Sequence, residues 1–164
     1  MEIETTRFGH VEIDENLIIA LPEGILWFED CKRYIILDHF DKESPFKWFQ
    51  SIDDASLAFV ITDPLIFVHD YKAKINKEEL KGIELSDANT ALIVVIVNIK
   101  RDHSEITINL QGPLVINPEK KLAKQAIMRT DDYAVRHVIF SQQTNQNQSV
   151  QPPAPEKATK PQPL

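Results

Sequence analysis

Cysteine is nearly absent from this chain. Cys31 stands alone among 164 residues, so no internal disulfide can form and no cysteine-rich zinc site can be built. Glycine is scarce too. Four glycines leave little material for a phosphate-cradling loop, and there is no P-loop, no dinucleotide fingerprint and no G-x-S-x-G element. No nucleophile lies beside a recognisable base, so the chain reads as a binder and not as an enzyme, with no cofactor. Long apolar runs are also missing. The longest, Ala91 to Val97, falls well short of the roughly 20 residues that a membrane helix requires, and no basic segment precedes an apolar one at the start. These absences predict a cytoplasmic protein that does not engage a membrane.

Positive charge is under-represented. Eighteen Lys and Arg face 25 Asp and Glu, a net of -7, and without the last 24 residues the balance is 16 against 24, or -8. A body of that sign repels phosphate backbones, which disfavours direct nucleic-acid binding, and attracts basic proteins at long range. The five histidines, His10, His39, His69, His103 and His137, are scattered, with no pair four residues apart beside a glutamate. His69 with Asp70 and His137 with Asp131 are the pairs to watch for a metal; loop and rim histidines are the simpler reading. The acid pairs Asp53-Asp54 and Asp131-Asp132 are explained by turn capping before catalysis. A small metal-dependent hydrolase and an RNA-binding β-barrel are the rival function classes.

What is present is strand. Leu57 to Ile61 is apolar at every position, the signature of a strand covered on both faces, and Asp63-Pro64 ends it because Pro64 offers no N–H to a ladder. Before it, Phe46 and Trp48 share one face and Lys47 and Phe49 the other, with Phe49 expected to stay partly exposed; Asp53-Asp54-Ala55-Ser56 makes the intervening turn. Upstream, Ile3 to Phe8 and Val11 to Ile13 read as a hairpin around Gly9-His10, and Leu17 to Leu21 as a strand broken by Pro22-Glu23-Gly24. Ile25-Leu26-Trp27-Phe28 is a bulky group beside a turn, read first as a plug over the end of the core and second as an exposed patch for a partner. A helical turn over Glu29 to Lys32 precedes a strand over Arg33 to Leu37.

Downstream, Asn76 caps a short helix from Lys77, with Glu79 in capping-box spacing and Gly82 as the stop. Leu92 to Ile99 is a second strongly apolar strand. Ile106, Ile108 and Leu110 alternate with polar residues, and Leu114 to Ile116, Leu122 to Met128 and Val135 to Phe140 complete the strands. From Ser141 the composition turns to Gln, Asn, Ser and Pro, including five of the ten prolines, which predicts a disordered tail. The fold class is therefore mainly β: a small antiparallel β-barrel-like domain over 1–140, with one or two short helices, and a polar, Pro-rich tail over 141–164.

Several motifs resemble, in order, those of the flagellar assembly factor FliW family. They are Leu21-Pro22-Glu23-Gly24 with Phe28-Glu29, then Trp48-Phe49-Gln50-Ser51-Ile52-Asp53-Asp54, and Leu57-Ala58-Phe59-Val60-Ile61-Thr62-Asp63-Pro64. Thr107 to Asn117 and Ala123-Lys124-Gln125 follow. The family commonly carries Pro-Gly where this chain has Leu26-Trp27. The resemblance implies partner switching: binding of newly made flagellin and, when flagellin is secreted, binding of the RNA-binding translational repressor CsrA, which relieves repression of flagellin synthesis. The candidate partner-binding residues are Trp27, Phe49, Asp53, Asp54, Asn109, Gln111, Asn117 and Gln125. The amides among them could instead serve loop and edge backbone groups.

Overall fold

The computed structural model describes residues 1–142; the predicted tail lies outside the described residues from residue 143 on. The described residues form eleven strands and one short α-helix: β1 (Glu2–Thr5), β2 (Gly9–Glu12), β3 (Ile19–Ala20), β4 (Arg33–Asp38), β5 (Phe46–Ser51), β6 (Ala58–Thr62), α1 (Lys77–Gly82), β7 (Leu92–Ile99), β8 (Glu105–Ile108), β9 (Leu114–Asn117), β10 (Leu122–Gln125) and β11 (His137–Ser141). β11 runs one residue into the segment read as tail. Three single turns of 3-10 helix link strands, each capped by the side chain of an aspartate: Asp14, Asp63 and Asp87.

A ring of seven strands organises the molecule. β7 pairs with β6, and the hydrogen-bonded order continues through β5, β4, β3, β10 and β9, which returns to β7. The closure is possible because β7 is eight residues long and divides one edge: Leu92, Ile93 and Val94 pair with β9, whereas Val97, Asn98 and Ile99 pair with β8. All these pairings are antiparallel except the short parallel join of β3 to β10 through Ala20 and Leu122. Barrel closure leaves no free edge within the ring. β11 extends the sheet beyond β8.

One cluster of buried side chains takes members from every ring strand: Ile19, Tyr34, Phe49, Ile61, Val94, Leu114 and Ile116, and Ala123. This is the barrel interior. The alternate positions of β5, β6 and β7, including Phe46, Trp48, Val60, Val95 and Val97, pack outward against Ile106, Ile108, Leu110 and Met128. The first hairpin covers Ile35, and Ile83 at the end of α1 packs on Val115 and Ala126. Both faces of the sheet are thus buried over much of the ring, which is why Leu57 to Ile61 needed apolar residues throughout.

This double covering corrects the reading of Phe49. It has no exposed surface and stacks on Tyr34 in the interior. Thr107, one of the polar residues that alternate with Ile106 and Ile108, is likewise buried, in a strand paired on both sides by β7 and β11. Two local expectations shift. The first hairpin turns at Thr6 to Phe8, where the Thr5 hydroxyl accepts from the Phe8 N–H and donates to the Gly9 carbonyl, so Gly9 pairs in β2 instead of forming the tip. Glu29 and Asp30 are turn and Cys31 and Lys32 irregular, so no helix forms there, and β10 stops at Gln125, three residues before the predicted end. The capping box of α1 forms as read, with Asn76 accepting from Glu79 N–H and Glu79 from Asn76 N–H. The positive backbone angle after the helix is taken by Glu84, not Gly82.

Candidate partner-binding surface

The segment from Pro22 to Asp30 closes one end of the barrel. Gly24 begins it with φ of +68°, and a Cβ there would lie 2.6 Å from the backbone of Glu29, so only glycine allows the loop to fold back on itself. Ile25 is buried with the interior cluster, and Phe28 meets Phe59 edge-on with centroids 5.3 Å apart. Ile25 acts as the plug, while Phe28 lies against Phe59 and stays partly in solvent. Between them Leu26 and Trp27 stand away from the body, 50% and 82% exposed. The two readings of this group therefore divide by residue: Ile25 plugs the barrel, Phe28 rests on Phe59, and the tip presents an aromatic surface.

The tip is held from three directions. Phe28 N–H donates to the Ile25 carbonyl at 2.7 Å, Leu26 N–H to Oε1 of Gln125 at 2.9 Å, and Trp27 N–H to Oε1 of Glu29 at 3.1 Å. Trp27 occupies the third position of this tight turn with φ of +75°, a conformation ordinarily left to glycine.

The polar candidates have specific partners. Gln125 joins β10 to the tip through Leu26 and to the Gly112 carbonyl through Nε2. Asn109 Oδ1 accepts from the N–H groups of Gln111 and Gly112, and Gln111 Nε2 donates to the carbonyls of Thr130 and Tyr133. Asn117 is 2% exposed; it donates to the carbonyls of Ile83 and Glu84 and accepts from the N–H groups of Glu119 and Lys120. These amides satisfy backbone groups that leave the ladders at loops. Asn117 is buried and Phe49 is in the core, whereas Asn109, Gln111 and Gln125 are half-buried, with the Asn109 and Gln125 amides both beside Gly112.

Asp53 fastens the turn after β5 to the start of β4. Its carboxylate accepts from the N–H groups of Lys32 and Arg33 and from the Arg33 guanidinium through Nε and a second nitrogen, at 2.8–2.9 Å. Burial pushes this carboxyl upward, yet the hydrogen bonds from Lys32 and Arg33 and the guanidinium charge outweigh it and hold it below the ordinary range. Asp54 is exposed and is also held low, by hydrogen bonds from the Ser56 hydroxyl and N–H. Both carboxylates organise the turn, as the sequence pattern implied. Among the described residues no three His, Cys, Asp or Glu side chains converge as a metal-ligating group. No helix among them is long and apolar enough to cross a membrane.

Leu26 and Phe28 were read from the sequence only as part of the bulky group that includes Trp27, and Glu29 and Asp30 were not singled out as contact residues. The signal was there in the four consecutive bulky residues after Gly24, but which of them faced solvent depended on the turn.

Comparison with known proteins places residues 2–139 within the family described as FliW protein. A flagellar assembly factor FliW from Natranaerobius thermophilus is 36% identical over 144 residues, covering 87% of this chain and 95% of the relative. Another, from Leptospira interrogans, is 40% identical over 141 residues, covering 85% and 93%. A solved structure, the crystal structure of the flagellar assembly factor FliW, superposes with a TM-score of 0.77 at 29% identity, covering 87% of this chain and 99% of that one.

Proposed function

This chain belongs to the FliW family of flagellar assembly factors, and from that premise we propose that it is a cytoplasmic partner-switching regulator of flagellin supply. It binds newly made flagellin as a chaperone. When flagellin is exported, the freed factor binds the translational repressor CsrA and lifts repression of flagellin synthesis. No chemical step is required: the switch works if the two partners compete or are negatively coupled.

The observation that carries this reading is the match along nearly the whole folded body, residues 2–139, to a family whose relatives bear that name over almost their full length. The acidic balance supports it. A body at -8 favours encounter with a basic RNA-binding partner, with an effect on association rate that salt weakens. The exposed tip on a rigid barrel offers a surface for protein contact of the kind that aromatic anchors provide.

The test is a mixing and competition experiment with purified proteins and no added metal. Each partner alone is expected to form a stable complex with the chain, and flagellin is expected to displace CsrA. Absence of both complexes would overturn the reading.

A further inference from the structure

Resting on the reading that the chain binds a basic protein, we propose that Trp27 is the anchor of that contact, its indole stacking on an arginine or lysine side chain of the partner beside Glu29 and Asp30. Trp27 is 82% exposed, more than any other large apolar side chain among the described residues. Its backbone sits at φ of +75°, where a residue carrying a Cβ is disfavoured and glycine is not. Folding gains little from the ring, which is mostly in water. A bulky side chain held in a disfavoured conformation with little packing to offset it has its reason outside the fold.

The geometry also prepares the ring for a contact. Three hydrogen bonds, from the N–H groups of Leu26, Trp27 and Phe28, fix the turn, while Ile25 and Phe28 root it in the barrel end. Little ordering is left for the moment of binding, which favours affinity. The surrounding charge selects the partner. From Pro22 to Cys31 there is no Lys or Arg, and there are three carboxylates, Glu23, Glu29 and Asp30; the Lys32 ammonium reaches only the base of the segment, donating to the Pro22 carbonyl at 3.0 Å. Glu23 is paired with Lys124 at 2.9 Å, whereas Glu29 and Asp30 enter no ion pair among the described residues. An indole face next to carboxylates that carry no ion pair attracts a guanidinium or ammonium through the ring quadrupole and Coulomb attraction together, and Leu26 adds an apolar shoulder for the stem of that side chain. An acidic segment would be repelled. Of the two proposed partners, the basic repressor fits this tip.

The test measures affinity of the full chain for CsrA and for flagellin, in the original protein and in the variants Trp27→Gly, Trp27→Phe and Glu29→Gln. Glycine accepts the turn without strain, so Trp27→Gly is expected to melt at the same temperature or higher, which separates a binding loss from a folding loss. Its affinity for CsrA is expected to fall about tenfold, with Trp27→Phe in between. Glu29→Gln, which keeps an acceptor for the Trp27 N–H, is expected to bind with a shallower salt dependence. If the original protein binds CsrA and Trp27→Gly loses less than about threefold, or weakens flagellin alone, this inference is overturned while the functional reading stands. If the original protein binds neither partner, the functional reading fails and the inference with it.

Discussion

The rings of Tyr34 and Phe49 stack inside the barrel with centroids 4.5 Å apart and planes within 5° of parallel, and neither residue reaches solvent. They come from adjacent strands, offset in register, since Tyr34 pairs with Ser51 and Phe49 with Ile36. Burial pushes the Tyr34 hydroxyl well above its ordinary pKa, and that oxygen has no hydrogen-bond partner.

The pair therefore has unequal value. Phe49→Ala removes a fully buried ring and is expected to destabilise the fold by about 3–5 kcal/mol, whereas Tyr34→Phe removes an unsatisfied polar atom and is expected to be neutral or to stabilise by about 1 kcal/mol. Urea denaturation of the two variants checks both. A large loss in Tyr34→Phe would mean that the hydroxyl has a partner after all.

Asn117 uses both donors and its acceptor within the fold, tying the end of β9 to the chain after α1. Asn117→Asp replaces the donors with a carboxylate oxygen facing two carbonyls. The expected destabilisation is about 2–4 kcal/mol by chemical denaturation, larger than for Asn117→Ser, which retains one donor.

Asp53 predicts a pH dependence. Its folded pKa lies below its unfolded value, so the unfolded chain takes up the proton first as pH falls. Its contribution to stability is complete above the ordinary carboxylate value of about 4 and is lost as pH drops through the depressed folded value. Asp53→Asn is expected to lower stability by about 1–2 kcal/mol at neutral pH and to flatten the loss of stability below about pH 4. Acid-unfolding curves followed by circular dichroism would show it. An unchanged slope would remove Asp53 from the account.

A truncation tests the domain boundary. Gln142 N–H donates to the Ser104 carbonyl at 3.0 Å, and Ser141 pairs with Glu105, so the folded body includes Gln142. Ending the chain after Gln142 is expected to leave a cooperative thermal transition within a few degrees of the original. Ending it after Arg136, which deletes β11 and uncovers Thr107 and Ile106, is expected to lower the midpoint markedly or abolish the transition.

Much of the candidate site could be read only in part. Gly24, Trp27 and Gln125 were visible as a glycine in a turn, a bulky residue after it and an amide in a strand. Nothing in their spacing says that Gln125 crosses 99 residues of chain to hold the Leu26 N–H. Asn109, Gln111 and Asn117 were equally legible as polar positions near strand ends. Their work for the backbone became evident from their partners: each amide lies beside carbonyls or N–H groups that have left the ladder, and satisfying these is worth more than facing a solvent that any polar group could face.

Local patterns decided the strands, the Asn76 capping box, the turns at Pro22 to Gly24 and Asp53 to Ser56, and the negative charge, because each depends on neighbours a few residues apart. Tertiary structure alone decided that β7 divides its edge between β8 and β9 and so closes the ring, that Phe49 lies inside, and that Trp27 points out while Ile25 points in. Alternation along a strand tells which residues share a face, but whether that face meets water depends on what distant chain arrives to cover it.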